Sequence, residues 1–189
     1  LMECHAFAAL HARSEAESHW QKCEQVLQEF VAAEPNNVRQ PWLQWQSARC
    51  DLLHTQADVA LYLAAPANTN PRELALARIR TLLTKLESLE AEVKRLQPLS
   101  AREGLIGNAL APPEQLAKLA VDVGLLRCEA LLLRMRLYAP GSPDRIATAT
   151  DVDEKSAAIF KRTEPDWPSR AQLQVAQAAA RLDLGVRLS

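Results

Sequence analysis

Two pairs of residues in the sequence have the spacing and chemistry of a metal site: His19-x3-Cys23 and Cys50-x3-His54. Each pair is i, i+4, so on a helix both members share one face. If the flanking helices fold back on each other about Asn37, Cys23 lies 14 residues before the bend and Cys50 lies 13 after it. His19 and His54 then fall 18 before and 17 after. Two thiolates and two imidazoles at matching heights are a tetrahedral zinc set. A plainer reading competes with it. Cys23 shares a stripe with Trp20, Leu27 and Phe30, and cysteine is common among small buried apolar residues. The sequence favours core thiols, and no cofactor is expected.

The carboxylates pose a similar choice. Asp51, Glu129 and Asp183 follow an arginine in otherwise apolar segments, and Asp122 sits within "LAVDVGLL". Buried acids can serve as proton donors or acceptors. The expectation is that they pair across helix interfaces with an arginine such as Arg49, Arg127 or Arg181 and set register. Arg127, Arg134 and Arg136 form a modest basic feature, either a solvated face or a contact for an acidic peptide. The GxxG in "GLIGN" (Gly104 to Asn108) lacks the strands and basic residues that would make it a nucleic-acid clamp. The sequence has no P-loop, GxSxG, HExxH or Rossmann glycine run. A catalytic role is not expected, and the Cys/His cluster is the minor alternative.

The elements that would position these residues are marked out by proline. The eleven prolines cluster at 35 and 41, 66 and 71, 98, 112 and 113, 140 and 143, and 165 and 168. A proline inside a helix costs about 3 kcal/mol but is tolerated in the first turn. The intervals therefore predict helices at 42–64, 72–97, 114–139, 144–163 and 169–188. Helical sequence over 1–33 should break near Ser14 and Glu17, a capping-box pair. About seven helices result, with no strand pattern: the fold class is all-α. In 72–97, Ala75, Ile79, Leu82, Leu86, Leu89, Val93 and Leu96 recur at alternating spacings of 4 and 3, a heptad seam. The 42–64 helix carries two stripes, one through Trp42, Trp45, Leu52, Val59 and Leu63, the other through Leu43, Cys50, Leu53, Ala57, Ala60 and Leu61. A helix apolar on two sides belongs between neighbours. Residues 98–113 read as an irregular insert, one helical turn capped by Ser100 and Glu103 and then an apolar loop. There Leu105 and Ile106 either fold back on the helices or meet a partner.

The chain also repeats itself. F-x3-E-P-x7-L-Q-x3-A runs from Phe30 to Ala48 and again from Phe160 to Ala178, an offset of 130 residues. "RCDLL" at Arg49 is echoed by "RCEAL" at Arg127. Such self-similarity marks stacked helical hairpins. The pattern resembles the tetratricopeptide repeat, in which small and aromatic residues of a second helix precede a proline. Cys23, Leu27 and Phe30 before Pro35 hold those spacings, as do Asp153, Ala157 and Phe160 before Pro165, while Phe7 and Leu10 fall where the first-helix Trp and Leu would be. His11 and Asp153 depart from the small residues usual there. The resemblance implies a single domain over 1–189, a solenoid of antiparallel hairpins acting as a protein- or peptide-binding scaffold. Trp42 and Trp167 are its candidate contact residues, with Leu105 and Ile106.

A second reading makes self-assembly the function, with homo-oligomers forming through the 72–97 seam. Composition narrows the partners. At 48% hydrophobic residues and a formal charge of −1, neither nucleic acid nor an anionic membrane is an expected partner. No apolar run approaches the length of a bilayer span. Four scattered cysteines without a CxxC motif point to reduced thiols and mildly to the cytoplasm. Leu1 and the ending "RLDLGVRLS" read as the edges of a fragment of a longer protein.

Overall fold

A computed structural model describes residues 2–11, 15–35, 37–103, 111–164 and 166–185, without the side chains of Glu3, Arg102 and Glu103. Among the described residues there are seven helices and no strand: α1 Met2–His11, α2 Ala16–Ala33, α3 Gln40–Ala64, α4 Asn70–Glu103, α5 Pro113–Arg136, α6 Pro143–Phe160 and α7 Arg170–Asp183. The chain is all-α, as the proline punctuation predicts. Prolines open α3, α4, α5 and α6 at first or second positions, where a missing N–H costs nothing. Ser142 caps α6, its hydroxyl accepting from the Arg145 amide at 3.3 Å. The Ser14 capping box, Leu105, Ile106 and Pro165 lie outside the described residues.

Several boundaries differ from the sequence reading: α5, α6 and α7 end three to five residues early, at Arg136, Phe160 and Asp183, and the end of α4 differs most. The helix predicted to stop at Pro98 runs on to Glu103, with Pro98 inside it. Pro98 is exposed, so water can meet the carbonyl that loses its amide partner. The turn carrying Ser100 is thus the end of α4, not a separate capped turn. The buried Ser100 hydroxyl donates to the Ala111 carbonyl, tying that end to the start of α5.

Successive helices pack antiparallel, and cross-helix contacts give the register. Arg78 early in α4 meets Asp58 late in α3 at 2.8 Å, while Lys85 farther along reaches back to Asp51 at 2.7 Å and Ser47 at 2.6 Å. Arg72 at the start of α4 donates to the Leu137 carbonyl just past α5. Arg145 early in α6 grips Asp183 at the end of α7 through two bonds of 2.8 and 2.9 Å. Beyond these neighbours, α1 packs on α3, α3 on α5 and α5 on α7. No such contact joins α2 to α4 or α4 to α6 among the described residues.

The seam of α4 is spent inside the chain. Ala75, Ile79, Leu82, Leu86, Leu89 and Val93 are almost completely buried in one cluster with Leu52 and Val59 of α3 and Leu119, Val123 and Leu126 of α5. They are not presented to a second copy. The two stripes of α3 meet two different cores. Trp42, Trp45, Leu52 and Val59 join the α4–α5 cluster, while Cys50, Leu43 and Leu53 join Met2, Ala6, Ala9, Trp20 and Cys23. At its end the pattern fails: Leu61 and Leu63 are about half exposed. Phe7 and Leu10 face outward too, because α1 offers its small Ala6 and Ala9 face to the core.

The repeated phrase encodes one bend twice. Asn37 donates its amide to the Glu34 carbonyl, Gln40 to Asn37 and Leu43 to Arg39. In the second copy Trp167 donates to Glu164, Arg170 to Trp167 and Leu173 to Ser169, the same three bonds displaced by 130 residues. The first bend carries α2 into α3 and the second carries α6 into α7.

Gly124 marks a close crossing of α5 and α6. A Cβ there would meet Ile159 Cδ1 at 3.0 Å and Cγ1 at 3.2 Å. Alanine gains about 1 kcal/mol of helix propensity and displaces only the end of one side chain. Valine adds two methyls toward a residue already in the core. Gly124→Ala should change stability by under about 0.5 kcal/mol, whereas Gly124→Val should lose about 1–3 kcal/mol. Urea titration of both variants checks this, and equal losses would mean that the crossing is not tight.

Candidate binding cleft

Where α3, α5 and the start of α7 converge, a cleft of about 300 Å³ opens. Trp45 and Arg49 stand one turn apart on α3, and Asp122 and Glu129 stand two turns apart on α5, so each pair projects from a single helix face. Leu125 and Leu126 form the apolar floor between the acids, and Ser169 and Gln172 supply a polar wall from the second bend. The Arg49 guanidinium lies 4.9 Å from the Trp45 ring centroid, a cation–π contact, and its Nη1 donates to Gln46 Oε1 at 3.5 Å. The Trp45 indole Nε1 is buried and has no hydrogen-bond partner among the described residues.

Burial pushes the Asp122 carboxyl above its ordinary pKa, opposed by Lys118 and then Arg49. Glu129 is likewise raised by burial and opposed by Arg49. The other acids within the helix interfaces are committed. Asp51 holds Lys85, Asp58 holds Arg78, Asp153 holds Arg181 and Asp183 holds Arg145. Asp122 and Glu129 are in no ion pair among the described residues.

The structural role expected of the acids therefore stands for Asp51 and Asp183, with different partners from those anticipated. Arg127 goes to Glu87 and Glu90 of α4, at 2.6 and 3.0 Å. Sequence reasoning noticed Asp122 and Glu129 but not that they share a face with each other and a cleft with Trp45. Their spacing of seven residues was the available signal.

The zinc set that the spacing offered as the minor reading does not assemble. Cys23 and Cys50 do meet in the core beside α1. His54, however, stacks on the Trp20 ring at 4.5 Å and 11°. His19 turns to His5, whose Nδ1 lies 3.3 Å from its own Nδ1. Among the described residues no three His, Cys, Asp or Glu side chains are grouped to hold a metal ion. The heights matched, but each imidazole is held by a different neighbour, His54 by Trp20 and His19 by His5.

The tryptophans expected at the surface are only partly there. Trp42 packs against the α3–α4–α5 core and Trp167 against the cluster of Val121, Leu125, Cys128, Ile159 and Leu173. The described part of that linker, 166–169, thus folds back through the Trp167 indole. Trp167 still lines a shallow depression with Lys118, Val121 and Pro168. Among the described residues no helix is long and apolar enough to cross a membrane. No protein-family model matches the chain, and neither a curated protein nor a solved structure is significantly similar to it.

Proposed function

We propose that this protein is a non-catalytic helical-repeat scaffold with tetratricopeptide-like stacking, and that a segment of a partner protein docks in the cleft across α3, α5 and α7. The observation that carries the reading is the cleft itself: two acids in no ion pair among the described residues, set over an apolar floor in a layered stack of helices. The recurrence of one bend 130 residues apart and the order of contacts through α1, α3, α5 and α7 support the repeat assignment.

The chemistry of the cleft selects the partner. With both acids ionised and Arg49 charged, the lining carries a formal charge of −1, so a segment with one lysine or arginine side chain neutralises it. A volume of about 300 Å³ is at the lower limit for ligand pockets, which suits one side chain and its backbone. An entering cation restores the ionised form that burial opposes. Binding should therefore strengthen as pH rises through the raised carboxyl range.

Selection from a random peptide library should enrich segments with an isolated basic residue. A charge-assisted hydrogen bond contributes about 1.5–3 kcal/mol, so Asp122→Asn with Glu129→Gln should weaken those peptides at least tenfold, read by calorimetry. Enrichment of acidic peptides, or affinity unchanged in the double variant, would refute the proposal.

A further inference from the structure

We infer that Cys23 and Cys50 form a dithiol–disulfide site that ties α2 to α3 upon two-electron oxidation. The inference does not depend on the cleft. Cys23 on α2 and Cys50 on α3 are 5% and 3% exposed and belong to one core cluster. The two side chains are close enough for Cys50 to act on the Cys23 thiol. The Cys23 thiol in turn donates to the Met2 carbonyl of α1 at 3.2 Å. Of the remaining cysteines, Cys4 is exposed and Cys128 lies in the separate α5–α6–α7 core.

The surroundings favour a disulfide over a metal thiolate. Met2, Ala6, Ala9 and Trp20 enclose the pair, and burial pushes the Cys23 thiol above its ordinary pKa. A bis-thiolate metal centre would carry charge into that apolar space, whereas a disulfide is neutral. The same burial makes the thiols slow to react while α1 is seated, so oxidation proceeds when α1 lifts and quickens as pH rises.

The electron balance is simple. With a peroxide, one thiolate attacks an oxygen and expels hydroxide, giving a sulfenic acid. The second thiolate then attacks that sulfur, the S–S bond forms, and the departing oxygen leaves as water. Two S–H bonds are lost and one peroxide is reduced to two waters. A diazene oxidant such as diamide instead takes both hydrogens and both electrons to become a hydrazine.

A structural consequence follows. The disulfide consumes the Cys23 S–H, so its bond to the Met2 carbonyl is lost. Oxidation therefore staples α2 to α3 and loosens the start of α1. The redox state of the pair and the seating of α1 are coupled.

The test uses the full chain, reduced and then treated with diamide, unfolded in alkylating agent and weighed by mass spectrometry. Wild type should fall from four alkylated cysteines to two as a monomer, with one cross-linked peptide pair joining Cys23 and Cys50. A Cys4→Ser, Cys128→Ala variant should fall from two to none, and Cys50→Ser should leave Cys23 alkylated. Amide exchange should quicken in α1 and slow at the facing surfaces of α2 and α3. Full alkylation of Cys23 and Cys50 after oxidation, or cross-links running mainly through Cys4, would overturn the inference. So would a stoichiometric metal ion held by the reduced pair in place of a disulfide.

Discussion

Leu86→Ala should lower the unfolding free energy by about 2–5 kcal/mol, the cost of removing a fully buried leucine and leaving a partly collapsed cavity. Leu86 is 0% exposed and sits midway along the α4 seam, among side chains from α3 and α5. Total stability for a domain of this kind is about 5–15 kcal/mol, so one side chain commands a large share. Leu74 is the control. It lies on the same helix at 46% exposure, and its replacement by alanine should cost under about 0.5 kcal/mol. Urea titration of both variants at two protein concentrations separates core from interface. A core residue gives a loss independent of concentration, whereas an interface residue gives a midpoint that moves with it. A loss under about 1 kcal/mol, or one that varies with concentration, would return the seam to the role of an assembly surface. The more drastic Leu86→Asp buries a charge with no partner and should unfold the chain outright rather than dissociate an oligomer.

The elements were largely legible from the sequence because proline chemistry is local. Pro41, Pro71, Pro113 and Pro143 sit at the openings of α3 to α6, where the missing amide proton has no helical acceptor to lose. Pro98 broke the rule because its penalty depends on solvent and packing at one carbonyl, which local sequence does not encode. Heptad spacing in α4 told which residues are buried, but not against what. An a/d seam reads the same whether its partner is α3 and α5 or another molecule.

The site was less legible for a geometric reason. Positions on one helix face can be counted from the sequence, as with Trp45 and Arg49 or Asp122 and Glu129. Whether two faces on different helices converge depends on rotation about each axis, and a shift of one residue turns a side chain by about 100°. His19 and His54 turned to different neighbours, while Cys23 and Cys50 came to share one core cluster. Asp122 and Glu129 line the cleft, while Asp51, in the parallel phrase "RCDLL", met Lys85. Similar words on different helices acquired different partners from their neighbours.

His54, parted from the other members of the zinc set, carries a large pH signature in the acid range. Its ring stacks on Trp20, and its pKa is pushed down from 6.5 to about 4, first by burial and then by the Arg78 charge. Folding therefore holds the ring neutral over a range in which the unfolded chain takes up a proton. Where the unfolded state binds more protons, stability rises with pH. The contribution of His54 is fully present above about pH 6.5 and is lost as pH falls toward 4. A displacement of that size corresponds to at most about 3 kcal/mol, and partial exposure of the ring reduces the expected figure to about 1–3 kcal/mol. Asp58, Asp122 and Glu129 act in the opposite sense, since burial raises each of them. Their folded forms keep protons that the unfolded chain releases, so their contribution falls as pH rises from the ordinary carboxylate range into the raised one. A bare pH profile would mix the two slopes, and a difference profile separates them. His54→Phe keeps an aromatic ring against Trp20 but cannot take up a proton. Between pH 7 and pH 4.5 the wild type should lose about 1–3 kcal/mol more than His54→Phe, measured by urea unfolding at each pH. Parallel profiles for the two proteins would mean that His54 titrates normally in the folded state, and that the Trp20–His54 stack does not shield it.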